Sequence, residues 1–140
     1  LSQEYLNKLS RNPFKILCTI ENSKNFINKS IFYMGRKNYE NIWKIYYSVD
    51  ALIFPSKLES FGLPLIEAMH AGLYILCSDK EYARELCGDK AIYFNVDSCK
   101  SLMEALLILE KKISLRDHPD WKENIAAHKI QASKIKYIFG

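Results

Sequence analysis

No apolar run in the 140 residues approaches the roughly 20 that a bilayer-spanning helix requires, so no membrane span is expected. Cysteine is sparse: Cys18, Cys77, Cys87 and Cys99 stand apart with no C-x-x-C among them. That spacing speaks against a disulfide framework or a zinc site and for reduced, mostly buried thiols in a cytosolic protein. The five glycines and four prolines build no low-complexity tract, and no internal repeat is found, so disorder is expected only at the ends. No basic stripe interleaved with aromatics is present either. The net charge of +4 comes from lysines spread along the chain, with a mild concentration in HKIQASKIK (128–136). That stretch reads first as a solvated helix face and second as a surface attracted to an anionic membrane, and nucleic acid is not an expected partner. His70, His118 and His128 are isolated, and no Asp-x-Asp pair or His/Cys cluster suggests a metal site, so none is expected.

What is present is the composition of one ordinary globular domain, 49% hydrophobic and 26% charged. A chain of this size buries roughly two thirds of the surface its unfolded form exposes. Short apolar runs alternate with segments of helical period, the pattern of a mostly parallel sheet covered by helices, and the fold class read from it is α/β. A helix is expected over 2–9 and strands over 14–20 and 30–34. A helix capped by Asn38 follows, with Ile42, Ile45, Tyr46 and Val49 directed at the sheet. ALIF (51–54) reads as a central strand buried on both faces. Pro64 suits a first helical turn and Gly72 a helix stop. Further strands are expected at 73–77 and 91–94, with a short helix over 80–86 closed by Gly88. Asp97 or Ser98 then caps a helix whose stripe is Leu102, Leu106, Leu109 and Ile113. Residues 1–113 are expected to form a Rossmann-like domain, and 114–140 a linker and C-terminal helix.

Ligands of open parallel sheets bind outside the carboxyl ends of the strands. Three expected loops leave in that direction, 35–38, 55–62 and 78–80. The middle one leads into ESFGLPLIEAMHAG (59–72), in which Glu59 and Glu67 are separated by seven residues. A helix N-terminus here can hold a phosphate with its free N–H groups and dipole, and Gly62 lets backbone come close to a ligand. Carboxylates repel phosphate, so the two glutamates suit hydroxyl groups: Glu67, expected at the end of the first turn, those of a ribose, and Glu59 those of a sugar. A nucleoside diphosphate sugar meets all three demands. As a bare spacing the pair is weak, and Glu67 alone could simply favour the helix dipole.

The context of the pair is more specific. From Ile31 to Lys112 the chain resembles the C-terminal domain of the family-four retaining glycosyltransferases (glycosyl transferases group 1), enzymes of the GT-B fold with two facing Rossmann-like domains. The resemblance runs through FYMGRKNYENIWKIYYSVDALIFPSKLESFGLPLIEAMHAG, LYILCSD, ARELCGDKAIYF and SLMEALLILEK, with the family's E-x7-E motif on Glu59 and Glu67. It implies that Glu59, the catalytic candidate, contacts the transferred sugar. Phe61, Gly62 and Leu63 line the sugar–diphosphate pocket largely through backbone, Glu67 holds the ribose, and Gly35 and Arg36 lie by the nucleobase; an exposed loop arginine explains Arg36 equally well. Arg84 and Glu85 match a recurrent pattern too, but a helix-surface ion pair or strand-helix packing explains them as well, so they are not expected to be catalytic. No cofactor and no metal are implied, the nucleoside diphosphate sugar being the donor substrate.

The resemblance further implies transfer to an acceptor hydroxyl with retention, in polysaccharide or lipopolysaccharide biosynthesis, in the cytoplasm and with peripheral association of the full-length enzyme at the inner face of the membrane. The family's domain begins with a strand-loop-helix unit bearing an Arg and a Lys that clamp the diphosphate. Neither that unit nor the acceptor-binding N-terminal domain is found here, so a partner domain in the same chain or another, weak donor affinity and no turnover of this piece alone are expected. The alternatives are a non-catalytic sugar-nucleotide or protein-binding module, and part of another GT-B enzyme such as a sugar-nucleotide epimerase.

Overall fold

The computed structural model describes residues 14–18, 31–35 and 37–128. The helix expected over 2–9 and the basic stretch after His128 lie outside the described residues. The chain divides into two compact units, residues 1–42 and 43–140.

In the first unit, β1 (Ile16–Cys18) and β2 (Ile31–Tyr33) pair in parallel, with Ile16 opposite Ile31 and Cys18 opposite Tyr33. Helix α1 (Tyr39–Tyr46) begins in this unit. Its cap is the expected one: Asn38 Oδ1 accepts the Asn41 N–H at 3.0 Å, satisfying a donor that the first turn cannot bond internally.

The second unit is an open parallel sheet flanked by helices, the α/β arrangement expected of a Rossmann-like fragment. Strands β3 (Ala51–Phe54), β4 (Tyr74–Ser78) and β5 (Ile92–Phe94) lie in the order β3-β4-β5. Ala51 is opposite Tyr74 and Leu76 opposite Ile92. Helix α2 (Leu63–His70) connects β3 to β4, and α3 (Glu81–Cys87) connects β4 to β5. Helices α4 (Cys99–Ser114) and α5 (Lys122–Ala127) follow. The core is apolar and contiguous in sequence blocks: Leu65, Ile66, Ala68 and Met69 of α2, Leu73 to Cys77 at β4, and Leu102, Ala105, Leu106 and Leu109 of α4. Each large aliphatic side chain so buried contributes about 1.5–3 kcal/mol.

One strand differs from its expected place. Among the described residues, ALIF, read as a central strand, is half-buried and pairs on one side only, with β4, whereas all five residues of β4 are buried between two neighbours. An apolar run of four residues looks the same in either position; pairing order decides.

Local stop and start signals act as their chemistry requires. At the end of α2 the N–H groups of Gly72 and Leu73 return to the carbonyls of Met69 and Ala68 (both 3.0 Å), with Gly72 at φ 73°. This is a Schellman closure. Ser98, not Asp97, caps α4, its Oγ accepting from Ser101 N–H at 3.1 Å. After α4 the chain returns through an irregular stretch to Trp121, which is buried and donates its indole N–H to the Leu73 carbonyl at 2.9 Å. Cys77 and Cys87 are buried free thiols. Among the described residues, no helix is long and apolar enough to cross a membrane.

Candidate functional site

Three stretches leave the carboxyl ends of the β3-β4-β5 sheet: 55–62, Asp79 with Lys80, and Asn95 to Asp97. The first two were expected from sequence; the third was not.

Ser56 anchors the first stretch. Its carbonyl accepts the Tyr82 hydroxyl at 2.6 Å and also the hydroxyl of Ser78, the wholly buried last residue of β4. Its own Oγ donates to Glu59 Oε1 at 2.8 Å, so the loop's geometry is transmitted to the Glu59 carboxylate. Glu59 is half-buried. Lys57 pairs with Asp97 at 2.6 Å and joins the loops after β3 and β5, but with side chains 58% and 70% exposed the pair is screened by solvent and holds the loops only weakly.

The start of α2 is built on Gly62, which caps the helix in the left-handed conformation (φ 60°, ψ 37°). Leu65 and Ile66 both turn their N–H groups to the Gly62 carbonyl (3.0 and 3.4 Å), and Pro64 has none. Leu63 therefore carries the first-turn N–H that has no acceptor among the described residues. The closeness that the glycine allows is to protein: a β-carbon there would sit 2.6 Å from Leu86 Cδ1. Phe61 is half-exposed beside the cap, and Leu63 is half-buried.

Glu67 lies one residue further into the helix than expected, just past the first turn, since the helix begins at Leu63 and the first turn has no acidic residue. It is only 7% exposed, in the company of Leu65, Ile66, Ala68 and Met69. The Tyr46 hydroxyl donates to its Oε2 at 2.7 Å. Burial pushes the Glu67 carboxyl above the ordinary carboxylate range, and the Tyr46 hydrogen bond pulls it partly back. Burial first, then the Glu67 charge, pushes the Tyr46 phenol up, so it stays a donor at any working pH.

Glu59, Phe61, Gly62, Leu63 and Glu67 thus lie together on the β3–α2 connection and the helix it opens. Gly35 lies in the first unit with φ 68°, where glycine is the natural occupant, and Arg36 falls outside the described residues. Arg84 is engaged structurally. It grips Asp79 through Nε (2.7 Å) and a terminal nitrogen (3.0 Å) and stacks 3.9 Å over the Tyr93 ring. Its hydrogen bond holds the Asp79 carboxyl below the usual range. The ion pair foreseen on this helix is real, with Asp79 as partner.

An open cavity of about 380 Å³ lies at the ends of β4 and β5, lined by Ser78, Asp79, Lys80, Phe94, Asn95, Val96 and Asp97. None of the expected site residues lines it. Its two carboxylates are already ion-paired, with Arg84 and Lys57. Among the described residues, no group of three His, Cys, Asp or Glu side chains could hold a metal ion.

Four residues absent from the sequence-based site are part of this geometry: Tyr46, Ser56, Ser78 and Tyr82. Tyr46 carried a signal, because a tyrosine on a buried helical stripe needs a partner for its hydroxyl. Nothing in the sequence pointed to which one.

The sequence pattern of the family described as Glycosyl transferases group 1 matches residues 20–127. The serotype-specific mannosyltransferase WbdA of Escherichia coli is 31% identical over 106 residues, covering 70% of this chain and 13% of that protein. The O-antigen chain mannosyltransferase B of Escherichia coli is 28% identical over 104 residues, covering 74% and 26%. The O-antigen chain mannosyltransferase RfbU of Salmonella typhimurium is 28% identical over 85 residues, covering 61% and 24%. The chain spans about a quarter or less of the length of these curated relatives.

Proposed function

The chain belongs to the glycosyl transferases group 1 family, and from that premise we propose that it is the donor-binding part of an enzyme that transfers a sugar from a nucleoside diphosphate to an acceptor hydroxyl with retention at the anomeric carbon. The observation that carries the reading is the pair of carboxylates about the start of α2. Each has one oxygen bonded to a protein hydroxyl, Ser56 for Glu59 and Tyr46 for Glu67. Each has a second oxygen whose lone pairs suit a ligand hydroxyl.

In this reading the diphosphate lies against the positive end of α2, near the backbone of Phe61, Gly62 and Leu63. The helix dipole and N–H groups stabilise the charge that develops on the departing nucleoside diphosphate. Glu67 accepts from the ribose and Glu59 from the transferred sugar. No metal takes part. The relatives are mannosyltransferases of O-antigen chains, which makes a nucleoside diphosphate mannose the first donor to test and a growing polysaccharide the acceptor class. The acceptor side belongs to a further domain, in the same chain or a partner, working at the inner face of the membrane. Alone, the 140 residues bind donor weakly and do not turn over.

The test is amide NMR of the chain titrated with a panel of nucleoside diphosphates and with inorganic pyrophosphate. At least one nucleoside diphosphate is expected to shift the amides of Phe61, Gly62 and Leu63, and more strongly than pyrophosphate does. A panel in which none moves them overturns the donor site.

A further inference from the structure

We infer that Tyr46 is a positioning residue of the nucleotide subsite, clamping one oxygen of Glu67 so that the other is presented to ribose hydroxyls. The inference rests on the donor-site reading above and deepens it.

A carboxylate on the inner face of a helix is expensive to bury, and one held there for structure alone is replaceable by apolar groups without loss. Glu67 is 7% exposed among apolar neighbours, and none of the ion pairs among the described residues includes it. Its one hydrogen bond from a side chain of the described residues is from the Tyr46 hydroxyl, 21 residues earlier in the chain. An ionised carboxylate offers about four lone-pair sites. Among the described residues the site thus supplies a single neutral side-chain donor where a buried anion wants several, and no cation pairs with the carboxylate.

The arrangement is asymmetric in a useful way. Oε2 is fixed at 2.7 Å, a short, charge-assisted bond, which sets the plane of the carboxylate and leaves Oε1 for a ligand. Vicinal hydroxyls, as on a ribose, are the neutral donors that match an oriented carboxylate. Tyr46 is the last residue of α1, its ring buried and 5.5 Å from that of Trp43, so the hydroxyl is itself held in place. The pull of this bond on the Glu67 carboxyl opposes the larger effect of burial.

The test compares affinities of the chain for a ribonucleoside diphosphate and its 2′-deoxy counterpart, in wild type, Tyr46→Phe, Glu67→Gln and the double variant, with circular dichroism to establish folding. Wild type is expected to prefer the ribose form, and Tyr46→Phe to lose on the order of tenfold in that affinity with little change for the deoxy form. In the Glu67→Gln background Tyr46→Phe is expected to change the preference no further, as for residues acting through one another. Equal losses for both ligands in Tyr46→Phe, or an unchanged preference, overturn the positioning role. A wild type that binds diphosphates without preferring ribose overturns the ribose role of Glu67 and the inference with it, and one that binds neither overturns the donor site as a whole. If Tyr46→Phe fails to fold, Tyr46→Trp serves in its place, with the same expected and overturning results.

Discussion

Leu86 occupies the space that a β-carbon on residue 62 would need: its Cδ1 lies 2.6 Å from that position. Gly62 is thereby constrained from two sides, by the neighbouring helix α3 and by its own left-handed φ of 60°. Gly62→Ala is expected to lose about 2–4 kcal/mol of stability, combining the cost of a β-carbon at positive φ with that of pushing Leu86 aside. A urea titration checks this as a lowered midpoint at unchanged slope. An alanine variant as stable as wild type would mean that α3 does not press on the cap.

Arg116 offers the opposite case. It follows α4 at φ 54°, and the N–H groups of Arg116 and Asp117 return to the carbonyls of Ile113 and Lys112 (3.1 and 2.9 Å). This is a Schellman closure with an arginine where glycine is preferred. Arg116→Gly is expected to stabilise by about 0.5 kcal/mol, the relief at positive φ exceeding glycine's extra entropy in the unfolded chain. Thermal melting of the two proteins, read as a small rise in Tm, is the check.

The buried carboxyl of Glu67 makes stability depend on pH in a direction that can be worked out. Its folded-state pKa is raised, so its contribution is present in full below the ordinary carboxylate range and is lost as pH rises through the folded value. Asp79 shifts the other way but is common to both proteins in a comparison with Glu67→Gln and cancels. The Tm of wild type minus that of Glu67→Gln is therefore expected to fall as pH rises through and above the ordinary carboxylate range. A difference that stays flat or grows contradicts a buried, proton-binding Glu67.

How far this was readable from sequence depended on the range of the interaction. Asn38, Ser98 and Gly72 bound their helices through groups three residues away, and Pro64 through its missing N–H, so each was legible because the signal and its effect share one stretch of chain. The apolar run of β3 was legible as a strand but not as the outer one of three among the described residues, since sheet order comes from pairing between distant segments. The same holds within the site. Glu59 and Glu67 stood out by their context, whereas the hydroxyls that orient them come from Ser56 within the loop and from Tyr46 in the preceding helix. Tyr82 reaches Ser56 across 26 residues and Trp121 reaches Leu73 across 48. Only folding brings such pairs together, and composition carries no trace of the match.

The central claim, two carboxylates dividing one donor between them, is met most directly by calorimetric titration. The ligands are a nucleoside diphosphate mannose and the matching free nucleoside diphosphate; the proteins are wild type, Glu59→Ala and Glu67→Ala. Wild type is expected to bind the sugar form more tightly. Glu59→Ala is expected to bring the two affinities together while leaving the free diphosphate as it was, and Glu67→Ala to weaken both by on the order of tenfold. A Glu59→Ala protein that still prefers the sugar form as wild type does, or a Glu67→Ala protein that binds both ligands undiminished, contradicts the account.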